Sequence, residues 1–142
     1  MKFKKFGNKW IVSINIGEEV VETLKKFCED NKIKLGTISG IGAVKGATIG
    51  FYDLKTKKYY PKELKGDYEI TSLSGNISTM DGEIYLHLHI NLADSNYNTC
   101  GGHLNSAVIG GIGEIIIEEI NGEIERGFNE EVGLNLLFQE DC

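Results

Sequence analysis

The chain has 142 residues, 41% of them hydrophobic and 25% charged, with a formal net charge of −6. This suits a single domain spanning 1–142 with a real core, and no run of about 18 apolar residues exists to form a membrane span. Asp and Glu (21) outnumber Lys and Arg (15), whereas nucleic-acid binding usually needs a clustered cationic surface.

The opening residues Met1-Lys2-Phe3-Lys4-Lys5 are basic, but no apolar stretch of the signal-peptide kind follows them. A cytoplasmic protein is therefore expected. Residues 9–15 read as a first strand with Trp10, Val12 and Ile14 on one face. Residues 18–31 read as a helix. Val20, Val21, Leu24, Phe27 and Cys28 fall at helical spacing, while Glu18, Glu19, Glu22, Lys25 and Lys26 face water. The early glutamates suit the positive end of the helix dipole.

No other helix is evident, and the remainder reads as strands and turns. Residues 36–42 and 46–53 are expected as two strands around a glycine-rich bend. Residues 55–65, charged and containing Pro61, are expected as a loop or weak edge strand. Residues 67–79 form a long strand. Asp81-Gly82 marks a tight hairpin into strand 83–91. Asn121-Gly122 marks a second hairpin, joining strand 113–120 to strand 123–128, and residues 133–138 form the last strand. Gly110, Gly111 and Gly113 precede Ile115-Ile116-Ile117, a strand-like run. A phosphate loop would instead lead straight into a helix. Lys2/Lys4/Lys5, Lys25/Lys26 and Lys55/Lys57/Lys58 have acidic residues around them and read as solvated faces.

The chemistry concentrates in the histidines. There are three, all within 17 residues. In Ile84-Tyr85-Leu86-His87-Leu88-His89-Ile90, side-chain alternation puts Ile84, Leu86, Leu88 and Ile90 on the core face. Tyr85, His87, His89 and Asn91 share the other face, the two histidines one pleat or about 7 Å apart. His103 follows a connection over 91–99, in Cys100-Gly101-Gly102-His103-Leu104, and its two glycines permit close backbone approach. Three imidazoles and a water make an open four-coordinate zinc site, although copper, nickel and iron(II) also accept imidazole. Cys100 reads as a small packing residue rather than a fourth ligand. Tyr85 reads as a packing residue, and Asp94 and Glu114 are possible helpers. Cys28, Cys100 and Cys142 form no CxxC pair, so reduced thiols are expected rather than a disulfide framework.

These segments resemble the plants-and-prokaryotes-conserved (PPC) domain family. The likeness is carried by Gly40-Ile41-Gly42-Ala43, Tyr68-Glu69-Ile70-Thr71-Ser72-Leu73-Ser74-Gly75, Leu86-His87-Leu88-His89-Ile90, Gly101-Gly102-His103-Leu104, and Arg126 ahead of Gly133-Leu134. It implies an α/β fold of the α+β type: a largely antiparallel sheet flanked by one main helix, assembled as a homotrimer. It also implies a Zn2+ site at His87, His89 and His103, and a DNA-binding or regulatory role. Plant members bind DNA through Arg-Gly-Arg-Pro segments; this chain has none, and its single Arg is Arg126. The fold further resembles acetolactate decarboxylase, whose three-histidine zinc polarises a carbonyl. That likeness implies an alternative function as a small metal-dependent enzyme, a lyase or hydrolase acting on a small carbonyl or oxyacid ligand.

Overall fold

A computed structural model of the chain describes residues 1–138, so Cys142 lies outside the described residues. The elements are β1 (Lys2–Phe6), β2 (Lys9–Ile14), α1 (Val20–Asn31), β3 (Gly36–Asp53), β4 (Lys58–Met80), β5 (Glu83–Ala93), β6 (Thr99–Glu119), β7 (Arg126–Asn129) and β8 (Leu134–Leu137). Six strands form one antiparallel sheet in the order β1-β2-β6-β3-β4-β5, and β6 also pairs with β5. Strands β3, β4, β5 and β6 therefore close into a ring. β7 and β8 form a separate hairpin.

The helix forms where its apolar stripe was expected. Val20, Leu24, Phe27 and Cys28 are buried, and the Glu19 carboxylate accepts from the Glu22 amide as an N-cap. A second Glu19 oxygen accepts from the Ala107 amide, fastening the helix start to β6. The buried stripe joins Trp10, Val12 and Ile14 of β2, Ile115 and Ile117 of β6, and Leu88, Ile90 and Leu92 of β5 in one core.

Three features differ from the sequence-based expectations, and the segment around Pro61 takes the edge-strand form. β1 was not foreseen, because all five of its residues are exposed and three are lysines. Its Phe3 ring packs on Trp10 and Phe27 at 5.9 and 5.1 Å. The supposed bend between 42 and 46 does not end the strand. β3 runs through it with register shifts at Gly40/Gly42 and Val44/Gly46, so these glycines make bulges rather than a turn. The segment around Pro61 belongs to β4, where Pro61 lies opposite Gly50. β5 covers β4 only from Glu69 onward, so Pro61 sits where that side carries no β5 partner. Finally, Asn121-Gly122 makes no hairpin between β6 and β7. Neither residue takes the positive φ that a type I′ turn requires. Instead Ile120 donates to the Leu35 carbonyl, Glu125 bridges to Thr79, and β7 pairs with β8. Asp81-Gly82 does make the expected turn, with φ of 54° and 78°.

The close approach of β4 and β5 depends on Gly75, opposite Leu88. A Cβ at Gly75 would lie 2.0 Å from the His87 carbonyl oxygen. Gly75→Ala should therefore force the two strands apart and lower stability by about 1–3 kcal/mol, in the range of overpacking changes. Urea unfolding with an unchanged slope checks this; an unchanged midpoint would contradict it.

Candidate metal centre

Alternation along β5 separates its two kinds of side chain. Leu88, Ile90 and Leu92 are buried in the core, while His87 and His89 emerge on the other face. β6 then supplies the third imidazole, because His89 lies opposite His103 in the β5–β6 ladder. His103 is also opposite Gly50 on β3. The ring centroids are 5.2 Å apart for His87–His89, 5.2 Å for His87–His103 and 5.6 Å for His89–His103. One nitrogen from each ring lies within 4.8 Å of the others. Zn–N contacts of about 2.0–2.1 Å in a tetrahedral site place nitrogens about 3.4 Å apart, so modest side-chain movement would bring the three onto one ion. Three imidazoles, with no fourth protein donor among the described residues, are the donor set of an open site rather than of a closed structural one.

The other residues considered for the site lie elsewhere. Cys100 is opposite Leu92 and packs against the core, an odd number of residues from His103 and so on the other face of β6. Asp94 accepts from the Asn96 and Asn98 amides and closes the loop before β6; those bonds hold its carboxyl below the usual carboxylate range. Glu114 lines a separate groove with Ile41 and Ile116. Tyr85 does share the histidine face and lines the same cleft.

That cleft has a volume of about 720 Å3. Its walls bring together parts that sequence reasoning left unconnected. Tyr59 donates to the Asn105 side chain and sets its ring edge-on to His103 at 6.2 Å. The β7–β8 hairpin forms the opposite wall with Leu134 to Leu137. Tyr52 anchors that hairpin by donating to the Val132 carbonyl at 2.9 Å. Arg126 is buried beneath it. Its Nε donates to Ser78 Oγ, Nη1 to the Asn135 carbonyl and Nη2 to Asn76 Oδ1, each at 2.8 Å. Its guanidinium lies over the Tyr85 ring, 4.9 Å from the centroid. In the sequence Arg126 stood out as the single arginine and as part of the family likeness. Ser78 and Asn76, two of its three hydrogen-bond partners, lie 48 and 50 residues away, so no local pattern placed it at the histidines.

The electrostatics favour the neutral form of His87 and His103. Burial, then the Arg126 charge, then the other two histidines push His87 down to about 4. Burial and His89 lower His103 as well. A neutral ring is the form that binds a metal.

The sequence profile of the Plants and Prokaryotes Conserved (PCC) domain matches residues 1–121. The crystal structure of a candidate DNA-binding protein from Bacteroides thetaiotaomicron is 44% identical, covers 96% of both chains and superposes with a TM-score of 0.94. A metal-containing protein from Archaeoglobus fulgidus is 37% identical, with 98% of this chain and 100% of that chain covered and a TM-score of 0.88. The α-acetolactate decarboxylase of Bacillus subtilis shares the fold alone, at 13% identity and a TM-score of 0.55 over 86% of this chain and 57% of the enzyme. Among curated proteins, the Bifunctional protein GlmU of Synechococcus sp. is 33% identical over 89 residues. That match takes in 62% of this chain and 13% of the relative's length.

The lowered proton affinity of His87 has a direct consequence for stability. Between its ordinary value of 6.5 and about 4, the unfolded chain binds more protons at His87 than the folded one does. Stability contributed there is thus present above pH 6.5 and lost as pH falls toward 4. In chelator-treated protein, the melting temperature should drop more from pH 7 to pH 5 for wild type than for His87→Gln. Equal drops would show that His87 protonation is not coupled to folding.

Proposed function

The chain belongs to the Plants and Prokaryotes Conserved domain family, and on that footing we propose that it is a metal-binding protein. In this reading one Zn2+ per chain is held by His87, His89 and His103, and an open coordination position faces the cleft. The observation that carries the reading is the convergence of three imidazoles, from one pleat of β5 and its register partner on β6, on one space. The description of the Archaeoglobus fulgidus relative as metal-containing supports it. When bound, such an ion supplies Lewis acidity toward a carbonyl, or activation of a water molecule. The protein's own part is to keep His87 and His103 neutral, to wall the ion with Tyr59, Tyr85 and the β7–β8 hairpin, and to present a cleft large enough for a small molecule.

The reading extends to the whole of 1–142 as one domain, resident in the cytoplasm and assembled as a homotrimer. Cys28 fits a reducing compartment: it is a free thiol, buried, and pushed up to about 12 by that burial. Ile11, Ile41 and Ile116 support assembly. They are exposed at 45, 54 and 45% and surround a groove next to the glycine-rich part of β6.

Two roles compete for the ion. A small-ligand role, as a metal-dependent lyase or hydrolase or as a ligand-responsive regulator, is favoured by the roomy cleft at the histidines. A DNA-associated role is favoured by the candidate DNA-binding relative at 44% identity. The excess of acidic residues weighs against DNA, because phosphate contacts need a clustered cationic surface. A gel-shift titration over salt separates the two roles. The small-ligand role predicts no shift at about 150 mM salt; a shift with a steep salt slope would establish DNA binding instead.

Elemental analysis of purified protein tests the site. Wild type should carry about one zinc-like ion per chain, and His87→Ala, His89→Ala and His103→Ala should each lose most of it, since each deletes one of three protein ligands. Cys100→Ser and Asp81→Ala should keep it. Light scattering on the same samples should give three times the 15.7 kDa chain mass. Equal metal in wild type and His89→Ala would end the metal reading, and a mass of one chain would end the trimer.

A further inference from the structure

Arg126 is the anomaly of the cleft. It is 6% exposed, yet no Asp or Glu among the described residues forms an ion pair with it. Its three hydrogen bonds all go to neutral acceptors: a hydroxyl, a backbone carbonyl and an amide oxygen. A guanidinium has five N–H donors, so one on Nη1 and one on Nη2 are not used by these bonds. Burying a charge without an opposite charge is costly, and such charges are normally paired.

The surroundings sharpen the point. The chain is acidic overall, with 21 carboxylate side chains. None of the described residues lining the cleft is Asp or Glu, while three are histidines and one is Arg126. The guanidinium is tied to the histidines through Asn76, which accepts from Nη2 and lies opposite His87 in the β4–β5 ladder. A lysine would carry the same charge, but only arginine offers a planar fork that matches a carboxylate with two parallel bonds. The rest of the cleft is mostly apolar, with Phe51, Leu54, Leu134 and Leu136 among its walls.

We infer that Arg126 is the anion-recognition residue of this cleft, and that the small-molecule ligand is a carboxylate with a short apolar body. Its carboxylate supplies the counter-charge that none of the described residues offers Arg126, and its body lies against the leucines of the β7–β8 hairpin. This rests on the proposed metal centre only for the identity of the neighbouring cation. The arginine, its neutral partners and the absence of a lining carboxylate stand without the ion.

The test is calorimetric titration of purified protein, as isolated and after chelation, with three probes. These are 4-methylpentanoate, its uncharged amide, and inorganic phosphate. Wild type should bind the carboxylate at least tenfold more tightly than the amide or phosphate, because a charge-assisted hydrogen bond contributes about 1.5–3 kcal/mol and each 1.4 kcal/mol is tenfold. Arg126→Gln should lose at least tenfold for the carboxylate while affinity for the amide stays the same. Should that variant fail to fold, Asn76→Asp decides. It keeps the bond to Nη2, sets a carboxylate against the guanidinium, and should produce the same selective loss. Undiminished carboxylate affinity in the folded variants, equal binding of the amide, or tighter binding of phosphate would each overturn the inference. Arg126-dependent carboxylate binding that is the same before and after chelation, in protein found to hold no metal, would sink the metal reading and leave this one standing.

Discussion

The register of β5 against β6 is the constraint on which the site depends. His89 lies opposite His103, and His87 lies one pleat along. Strand side chains alternate with a period of two, so a slip of one residue would turn both β5 imidazoles into the core and Leu88 and Ile90 out of it. The core therefore enforces the site. Leu88, Ile90 and Leu92 are at most 3% exposed, and a one-residue slip would expose them while burying His87 and His89. The same ladder, with β4 and β3, closes the ring of strands and leaves a concave space where the imidazoles meet.

On that frame the protein builds a pocket of unusual charge. Burial and the neighbouring histidines hold His87 and His103 toward the neutral form, and Arg126 adds to the effect at His87. An arginine that depresses its neighbour's proton affinity while no carboxylate among the described residues pairs with it makes sense where an anion arrives from outside. The β7–β8 hairpin serves two purposes. It delivers Arg126 beneath the cleft and supplies the leucine wall above it, and Tyr52 and the Asn135 carbonyl fix it in place. Three converging imidazoles and a buried guanidinium together fit a small anionic molecule better than a phosphate backbone.

Much of this was legible in the sequence, and the exceptions have physical causes. The histidine face could be read because two-residue periodicity is local: Leu86-His87-Leu88-His89-Ile90 states which side is core and which is not. Cys100 reads as a small packing residue, and it packs against the core opposite Leu92. The helix and the Asp81-Gly82 turn are local features too. What escaped was set by partners far along the chain. The three lysines of β1 conceal an edge strand whose Phe3 packs on Trp10 and Phe27. The glycines of β3 look like a turn but are bulges, because β4 and β6 pair through them on both sides. Asn121-Gly122 has the composition of a hairpin, yet Leu35 and Thr79 draw the chain away from β6. Arg126 gained its meaning only when Asn76, Ser78 and Asn135 were brought around it.

The central claim is that one metal ion sits among these three imidazoles and is open toward the cleft. X-ray absorption at the zinc edge, on protein purified without added metal, tests it most directly. The account predicts a centre with three imidazole nitrogens at about 2.0–2.1 Å and a light-atom ligand completing the shell. A shell containing sulfur at about 2.3 Å, or no zinc-like metal bound to the protein at all, would contradict it.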